Sequence, residues 1–187
     1  MKSDYPLVHF MNECFQEYKD EVSLVLWSYN CNLKCSWCSM KDLIYDKKNI
    51  LDVNYIDLIK SHTSLETAVV FLGGEPTLYP RGLITGCSFA KELGLKTKIF
   101  TNGFNKNIIH KLLNYNLLDS ISIDYKDKYP NNIIYLLELV GNRIPVEIRT
   151  TIHPELREFD LETMEIVIND LKKYYQITYY KQRYQQF

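Results

Sequence analysis

The sequence predicts an α/β protein: an open, partial (β/α)6 barrel of parallel strands in a single domain. Three observations lead there. Short apolar runs alternate with stretches of helical periodicity six times along the 187 residues. A chain of that length suits one domain, and no repeat, low-complexity tract or Gly/Ser linker divides it. Two of the strands also carry charged residues on one face, which suits an open barrel lined for a polar ligand better than a small closed one.

The elements follow in order. Residues 1–21 read as an N-terminal lead-in, 22–182 as the barrel core and 183–187 as a tail. Strand one is expected from Val22 to Ser28. A helix from Val53 to His62 places Val53, Ile56 and Ile59 on one face. Strand two, Ala68 to Leu72, runs into Gly73-Gly74-Glu75-Pro76. The helix from Arg81 to Leu93 buries Leu83, Ile84, Cys87 and Ala90, and Gly94 stops it. Strand three, Thr97 to Thr101, ends in Asn102-Gly103. Asn105 is placed to cap the next helix, where Ile108, Ile109, Leu112 and Leu113 keep helical spacing. Strand four spans Ser120 to Tyr125, with a helix from Asn132 to Val140 after it. Strand five spans Val146 to Ile152. A last helix, Leu161 to Lys173, aligns Leu161, Met164, Val167, Ile168 and Leu171, and strand six runs from Ile177 to Gln182.

Side chains alternate faces along a strand, so strands four and five say more. Ile121, Ile123 and Tyr125 oppose Ser122, Asp124 and Lys126, and Val146, Ile148 and Thr150 oppose Glu147, Arg149 and Thr151. The apolar sets should meet the helices and the polar sets should enter the barrel. There they either line a ligand site or pair with one another in a purely structural Asp–Lys–Arg–Glu network.

Composition excludes some functions. With 22 basic and 23 acidic residues the net charge is -1, which gives no broad attraction to nucleic acid or an anionic membrane. The fifteen tyrosines are scattered as packing residues are. Met1-Lys2-Ser3-Asp4-Tyr5-Pro6 lacks a signal-peptide pattern, and no apolar run approaches the ~20 residues that span a bilayer. A cytoplasmic, reducing location is expected, and it would keep thiols free.

Those thiols are the chemical centre of the chain. Cys31-Asn32-Leu33-Lys34-Cys35-Ser36-Trp37-Cys38 spaces three cysteines as C-x3-C-x2-C in one loop after strand one. A closed structural zinc site wants four ligands. Three thiolates suit a 4Fe–4S cluster with one iron left open for an outside ligand. A zinc site completed by Cys14, Cys87 or a distant His is the alternative. An odd count of five cysteines argues against a disulfide. The Gly73-Gly74-Glu75-Pro76 turn is the second motif: glycines admit close backbone approach, and a carboxylate beside them can accept from an ammonium.

The cysteine spacing, with an aromatic residue just before the third thiol, resembles the signature of the radical S-adenosylmethionine (SAM) superfamily. The glycine motif one βα unit later matches that superfamily's SAM-binding turn. Within it the chain is most similar to the small activating enzymes of glycyl radical enzymes, the activator of anaerobic ribonucleotide reductase foremost and pyruvate formate-lyase activase beside it. Phe15-Gln16-Glu17-Tyr18, Phe71 to Leu78, Lys91 to Lys96, Thr101-Asn102-Gly103, Leu117-Leu118-Asp119, Ile123 to Lys126, Arg149-Thr150-Thr151 and Tyr179 to Gln182 carry the likeness along nearly the whole chain.

The resemblance implies a single radical SAM domain over 1–187, in which Cys31, Cys35 and Cys38 hold a 4Fe–4S cluster and Trp37 lies against the adenine. It implies that Gly73, Gly74 and Glu75 hold the methionyl amino end. Thr101 and Asn102 would lie near the ribose and carboxylate, Asp124 and Lys126 would supply polar contacts, and Arg149 would reach the SAM carboxylate or a neighbouring acid. The implied reaction is reductive cleavage of SAM to a 5′-deoxyadenosyl radical, which installs a glycyl radical on a partner enzyme. A one-electron donor such as flavodoxin or ferredoxin would feed it. A small-molecule, nucleoside or peptide substrate and a non-catalytic metal-binding module remain as alternatives. Two departures stand out. Phe100 replaces the aspartate that in the pyruvate formate-lyase type helps bind a monovalent cation, so no cation site is carried over. Ser39-Met40 replaces the group's common His-Asn. No histidine is assigned to catalysis, and His153 is the one nearest the expected mouth.

Overall fold

The computed structural model describes residues 4–126 and 131–184, apart from the side chains of 131 and 132. Residues 185–187 of the expected tail lie outside these. Seven strands form one sheet in sequential order: β1 (Leu7–Cys14), β2 (Ser23–Ser28), β3 (Ala68–Gly73), β4 (Lys96–Thr101), β5 (Ser120–Asp124), β6 (Val146–Ile152) and β7 (Ile177–Arg183). From β2 to β7 every neighbouring pair is parallel. Sequential parallel order has no switch point, so the crossover helices share one face and the sheet curls as a barrel wall. Among the described residues β1 and β7 do not pair, and the barrel stays open between them.

Within the expected N-terminal lead-in the structure adds a strand, β1, to the six expected parallel ones. It pairs antiparallel with β2, and its register shifts between Leu7 and His9 and again between Met11 and Cys14. Those irregularities break the period-two pattern by which a strand is read from sequence, so Leu7 and Val8 are both buried side by side.

The helices are α1 (Lys41–Ile44), α2 (Tyr55–Lys60), α3 (Pro80–Glu92), α4 (Lys106–Asn114), α5 (Asn131–Val140) and α6 (Glu158–Leu171). The helix expected from Val53 shortens because the Asn54 side chain accepts from the Ile56 N–H and caps it there. α1 follows the thiol loop without having been expected. Asn105 stands at the N-terminus of α4 but does not cap it; its amide donates to Thr77 Oγ1 at 2.9 Å.

Two cores divide the sheet faces. Leu24, Leu26, Val69, Phe71, Ile99, Ile121, Ile123 and Ile148 pack with the helices. Inside the barrel, Val25, Val70 and Leu72 form a smaller apolar floor with Cys14, against which Tyr18, Trp27 and Phe100 pack. The polar faces of β5 and β6 enter the barrel as the alternation predicts. Among the described residues no helix is long and apolar enough to cross a membrane.

Candidate active site: a thiol loop over the barrel mouth

β2 ends at Ser28, and the chain turns through Asn30, which has positive φ and whose side chain accepts from the Cys31 N–H. The thiol loop then crosses the C-terminal end of the sheet. Cys31, Cys35 and Cys38 all line one cavity of about 690 Å³, a size suited to a small-molecule cofactor. Trp37, Gly73, Gly74, Asn102, Asp124 and Lys126 line it too. Glu75, Thr101 and Arg149 are not in that lining; they stand behind it.

The glycines explain the junction of β3 with the loop. Gly73 has φ +108, and a Cβ there would lie 2.5 Å from the Ser28 nitrogen; at Gly74 it would lie 1.8 Å from the Asn30 carbonyl oxygen. The bare backbone lets the Gly74 and Glu75 N–H groups donate to the Ser28 and Asn30 carbonyls at 3.0 and 2.9 Å. Their first use is therefore to clamp β3 against the root of the thiol loop.

Glu75 is 1% exposed. Its Oε1 accepts from Thr77 N and Oγ1 and from Thr101 Oγ1, and its Oε2 accepts from the Asn102 N–H at 2.8 Å. Burial raises its pKa, and those hydrogen bonds oppose the rise. The carboxylate thus ties β3 to the end of β4. Asn102 extends the tie, because its amide donates to Asn32 Oδ1 at 2.7 Å and lies 3.7 Å from Cys31 Sγ. Burial pushes the Cys31 thiol up to about 11, partly offset by the Leu33 N–H. Tyr45 donates its hydroxyl to the Leu33 carbonyl and steadies the same half of the loop.

The polar interior separates into two groups rather than one network. At the mouth Lys126 Nζ pairs with Asp124 at 3.1 Å. Burial works against the ammonium, but Asp124 and the thiols of Cys35 and Cys31 together raise its pKa. Deeper in the barrel, Lys98 is fully buried and bonds Glu147 and the Glu17 carbonyl, both at 2.7 Å. Arg149 pairs with Glu17 at 3.3 Å and Glu147 at 3.5 Å, and its guanidinium lies 4.2 Å from the Phe100 ring centre. Arg149 therefore meets neighbouring acids, and Phe100 offers a π face to two cations, the other being Lys98 at 4.9 Å.

Sequence reasoning missed Lys98, Glu17, Asn32 and Tyr45. Lys98 was within reach, since alternation puts it on the same face as Phe100. The role of Glu17, outside any strand, had no local signal.

Trp37 is 9% exposed and stacks flat on His153, with ring centres 3.6 Å apart and planes at 2°. One face of the indole is thus taken by imidazole. Cys14 lies beside Ser23 at the opposite end of β2, and Cys87 sits in the helix-side core. Neither can complete a zinc site with the loop. Among the described residues no group of three or more His, Cys, Asp or Glu side chains is arranged to hold a metal ion. The donor set the loop does offer, three thiols facing one cavity, fits an iron–sulfur cluster.

The radical SAM superfamily model matches residues 25–170, from β2 to the end of α6. The chain belongs to that superfamily. Radical SAM chemistry implies S-adenosylmethionine and an iron–sulfur cluster as its cofactors. Two provisionally named glycyl-radical enzyme activating enzymes of Methanocaldococcus jannaschii are similar to it. One is 32% identical, covering 84% of this chain and 73% of that protein. The other is 28% identical, covering 84% and 67%. An S-adenosylmethionine-dependent nucleotide dehydratase of Flammeovirga pacifica is 28% identical over 60% of this chain and 41% of its own. Among solved structures, SuiB of Streptococcus suis bound to S-adenosylmethionine aligns with TM-score 0.48 and 18% identity; the match covers 86% of this radical SAM chain and 50% of that one.

Proposed function

We propose that this radical SAM protein is a glycyl radical enzyme activase of the kind that serves anaerobic ribonucleotide reductase, working in a reducing cytoplasm. The observation that carries the reading is the three-thiol loop opening onto a cavity whose other walls are the Gly73-Gly74 backbone, Asn102 and the Asp124–Lys126 pair. The names of the two archaeal relatives support the activase assignment.

Cys31, Cys35 and Cys38 would hold a 4Fe–4S cluster. When bound and reduced, for instance by flavodoxin or ferredoxin, it supplies the electron that splits S-adenosylmethionine into methionine and a 5′-deoxyadenosyl radical, which takes a hydrogen atom from substrate. Every other task falls to the chain. Lys126, steadied by Asp124, offers the cavity a cation for an anionic ligand group. Glu75 and Thr101 keep the β3 and β4 ends in place from behind the lining, and Asn102 joins that tie while itself forming part of the cavity wall. Leu33, Met40 and Ile44 supply apolar wall that helps exclude water. Trp37, which lines the cavity while stacked on His153, would lie against the adenine. No histidine needs to move a proton.

A nucleotide substrate is the second reading, favoured by the likeness to the nucleotide dehydratase. One experiment separates the outcomes. The protein is reconstituted anaerobically with iron and sulfide, given dithionite and S-adenosylmethionine, and assayed for 5′-deoxyadenosine. Product is expected, and Cys35→Ala should reduce it to the no-enzyme background. Spin resonance on added anaerobic ribonucleotide reductase should then show a glycyl radical. Turnover of a nucleotide without that radical would favour the second reading, and tight zinc binding with no cluster would sink both.

A further inference from the structure

The two ends of the thiol loop are held by different parts of the barrel. The Cys31 half is anchored nearby, through Asn102 to Asn32 and Tyr45 to Leu33. The Cys35–Cys38 half has long backbone bonds of its own: Cys38 N–H to Cys35 O and Lys41 N–H to Cys38 O, both 3.3 Å. It also makes a pair of contacts with the turn between β6 and α6, four strands away from β2. Trp37 stacks on His153, which is 5% exposed, and Ser36 Oγ donates to Glu155 Oε1 at 2.7 Å. The two contacts differ in chemistry, one a flat ring stack and one a hydrogen bond. They nevertheless join the same two segments, through adjacent loop residues that lie between the second and third cysteines.

A parallel stack at 3.6 Å fixes both the height and the tilt of the indole. Because Trp37 directly precedes Cys38, that plane also limits where the third thiol can point. His153 itself is not in the lining of the thiol cavity; it stands on the far side of Trp37.

We propose that His153 is a positioning residue for the thiol loop. Acting through Trp37, it presets Cys35 and Cys38 toward the cavity before any cofactor is bound, with the Ser36–Glu155 bond as a weaker second strap. This rests on the reading of the loop as the cluster-binding segment. What the stack requires of residue 153 is a flat ring, not an imidazole as such.

The test compares the full chain with His153→Ala, His153→Phe and Glu155→Ala by hydrogen exchange in the metal-free protein, then by loss of iron to a chelator after reconstitution. In His153→Ala, amides of residues 31–40 are expected to exchange roughly tenfold faster while the β3 and β4 amides keep their protection. Iron should leave faster as well. His153→Phe should restore both. Glu155→Ala, an exposed change that leaves folding intact, should give a smaller acceleration in the same residues. Native protection in His153→Ala, or no rescue by phenylalanine, overturns the proposal. If His153→Ala does not fold, acceleration in Glu155→Ala spread beyond residues 31–40 overturns it. A native chain that takes up no iron would defeat the cluster reading, and the exchange rates of the metal-free variants would still decide the role of His153.

Discussion

A methyl group on residue 74 would meet the Asn30 carbonyl oxygen at 1.8 Å, and no rotamer can relieve a clash between two backbones. Gly74→Ala should therefore lower the unfolding free energy by about 3 kcal/mol, read from the shift in a urea melt. A loss below about 1 kcal/mol would mean that the clamp between β3 and the thiol loop can give way. Glu75 shows the same gap between residue type and role. A buried carboxylate beside two glycines was legible as something important. That its two oxygens are already engaged was not: Thr77 is a donor two residues away, but Thr101 and Asn102 reach it from the end of β4, 26 and 27 positions along the chain.

At the scale of elements, the connection from β1 to β2 plugs the barrel. Glu17 reaches in to bond Lys98 through its carbonyl and Arg149 through its carboxylate, and the Tyr18 ring packs near the Lys98 ammonium. Burial lowers the Lys98 pKa, opposed by Glu147. Removing the cation leaves Glu147 in the barrel with only the longer Arg149 contact among the described residues. Lys98→Met should cost about 3 kcal/mol of stability. Adding Glu147→Gln to that variant should recover part of the loss, and the two-step comparison by denaturant unfolding checks it. An additive double variant would show that the pair is not coupled. Alternation within β5 and β6 had already placed their charges inside, whereas β1 escaped notice because its bulges disrupt the same alternation.

For the molecule as a whole, the sequential parallel strands β2 to β7 put the crossover helices outside and the site's loops at one rim, so the site is assembled where β2, β3, β4, β5 and β6 end. The helix-side core is unusually hydroxylated. Tyr5 packs against Tyr55 at 5.4 Å and Tyr79 at 5.9 Å between ring centres. Burial raises the pKa of all three, that of Tyr79 to about 12. In the unfolded chain these phenols ionise near 10. Above that value the folded state holds more protons than the unfolded one, so their contribution to stability is intact below about pH 10 and declines as pH rises toward the folded values. Stability should thus fall steeply in alkali, and part of the tyrosinate absorbance should emerge only as circular dichroism is lost. Complete ionisation near 10 in the folded chain would refute this.

What the sequence determined by itself was local: the C-x3-C-x2-C spacing, the glycine turn, the helix periodicity and the faces of single strands. Each is set within about ten residues by backbone geometry and burial. The tertiary structure alone decided what those features meet. It brought Glu17 to Arg149 across 132 positions, Asn32 to Asn102 across 70 and Ser36 to Glu155 across 119. Such contacts depend on the curvature and register of the whole sheet, which no stretch of the chain encodes alone. That is why the thiols could be recognised as a binding loop from sequence, while the residues that hold the loop in place became visible only once the barrel was built.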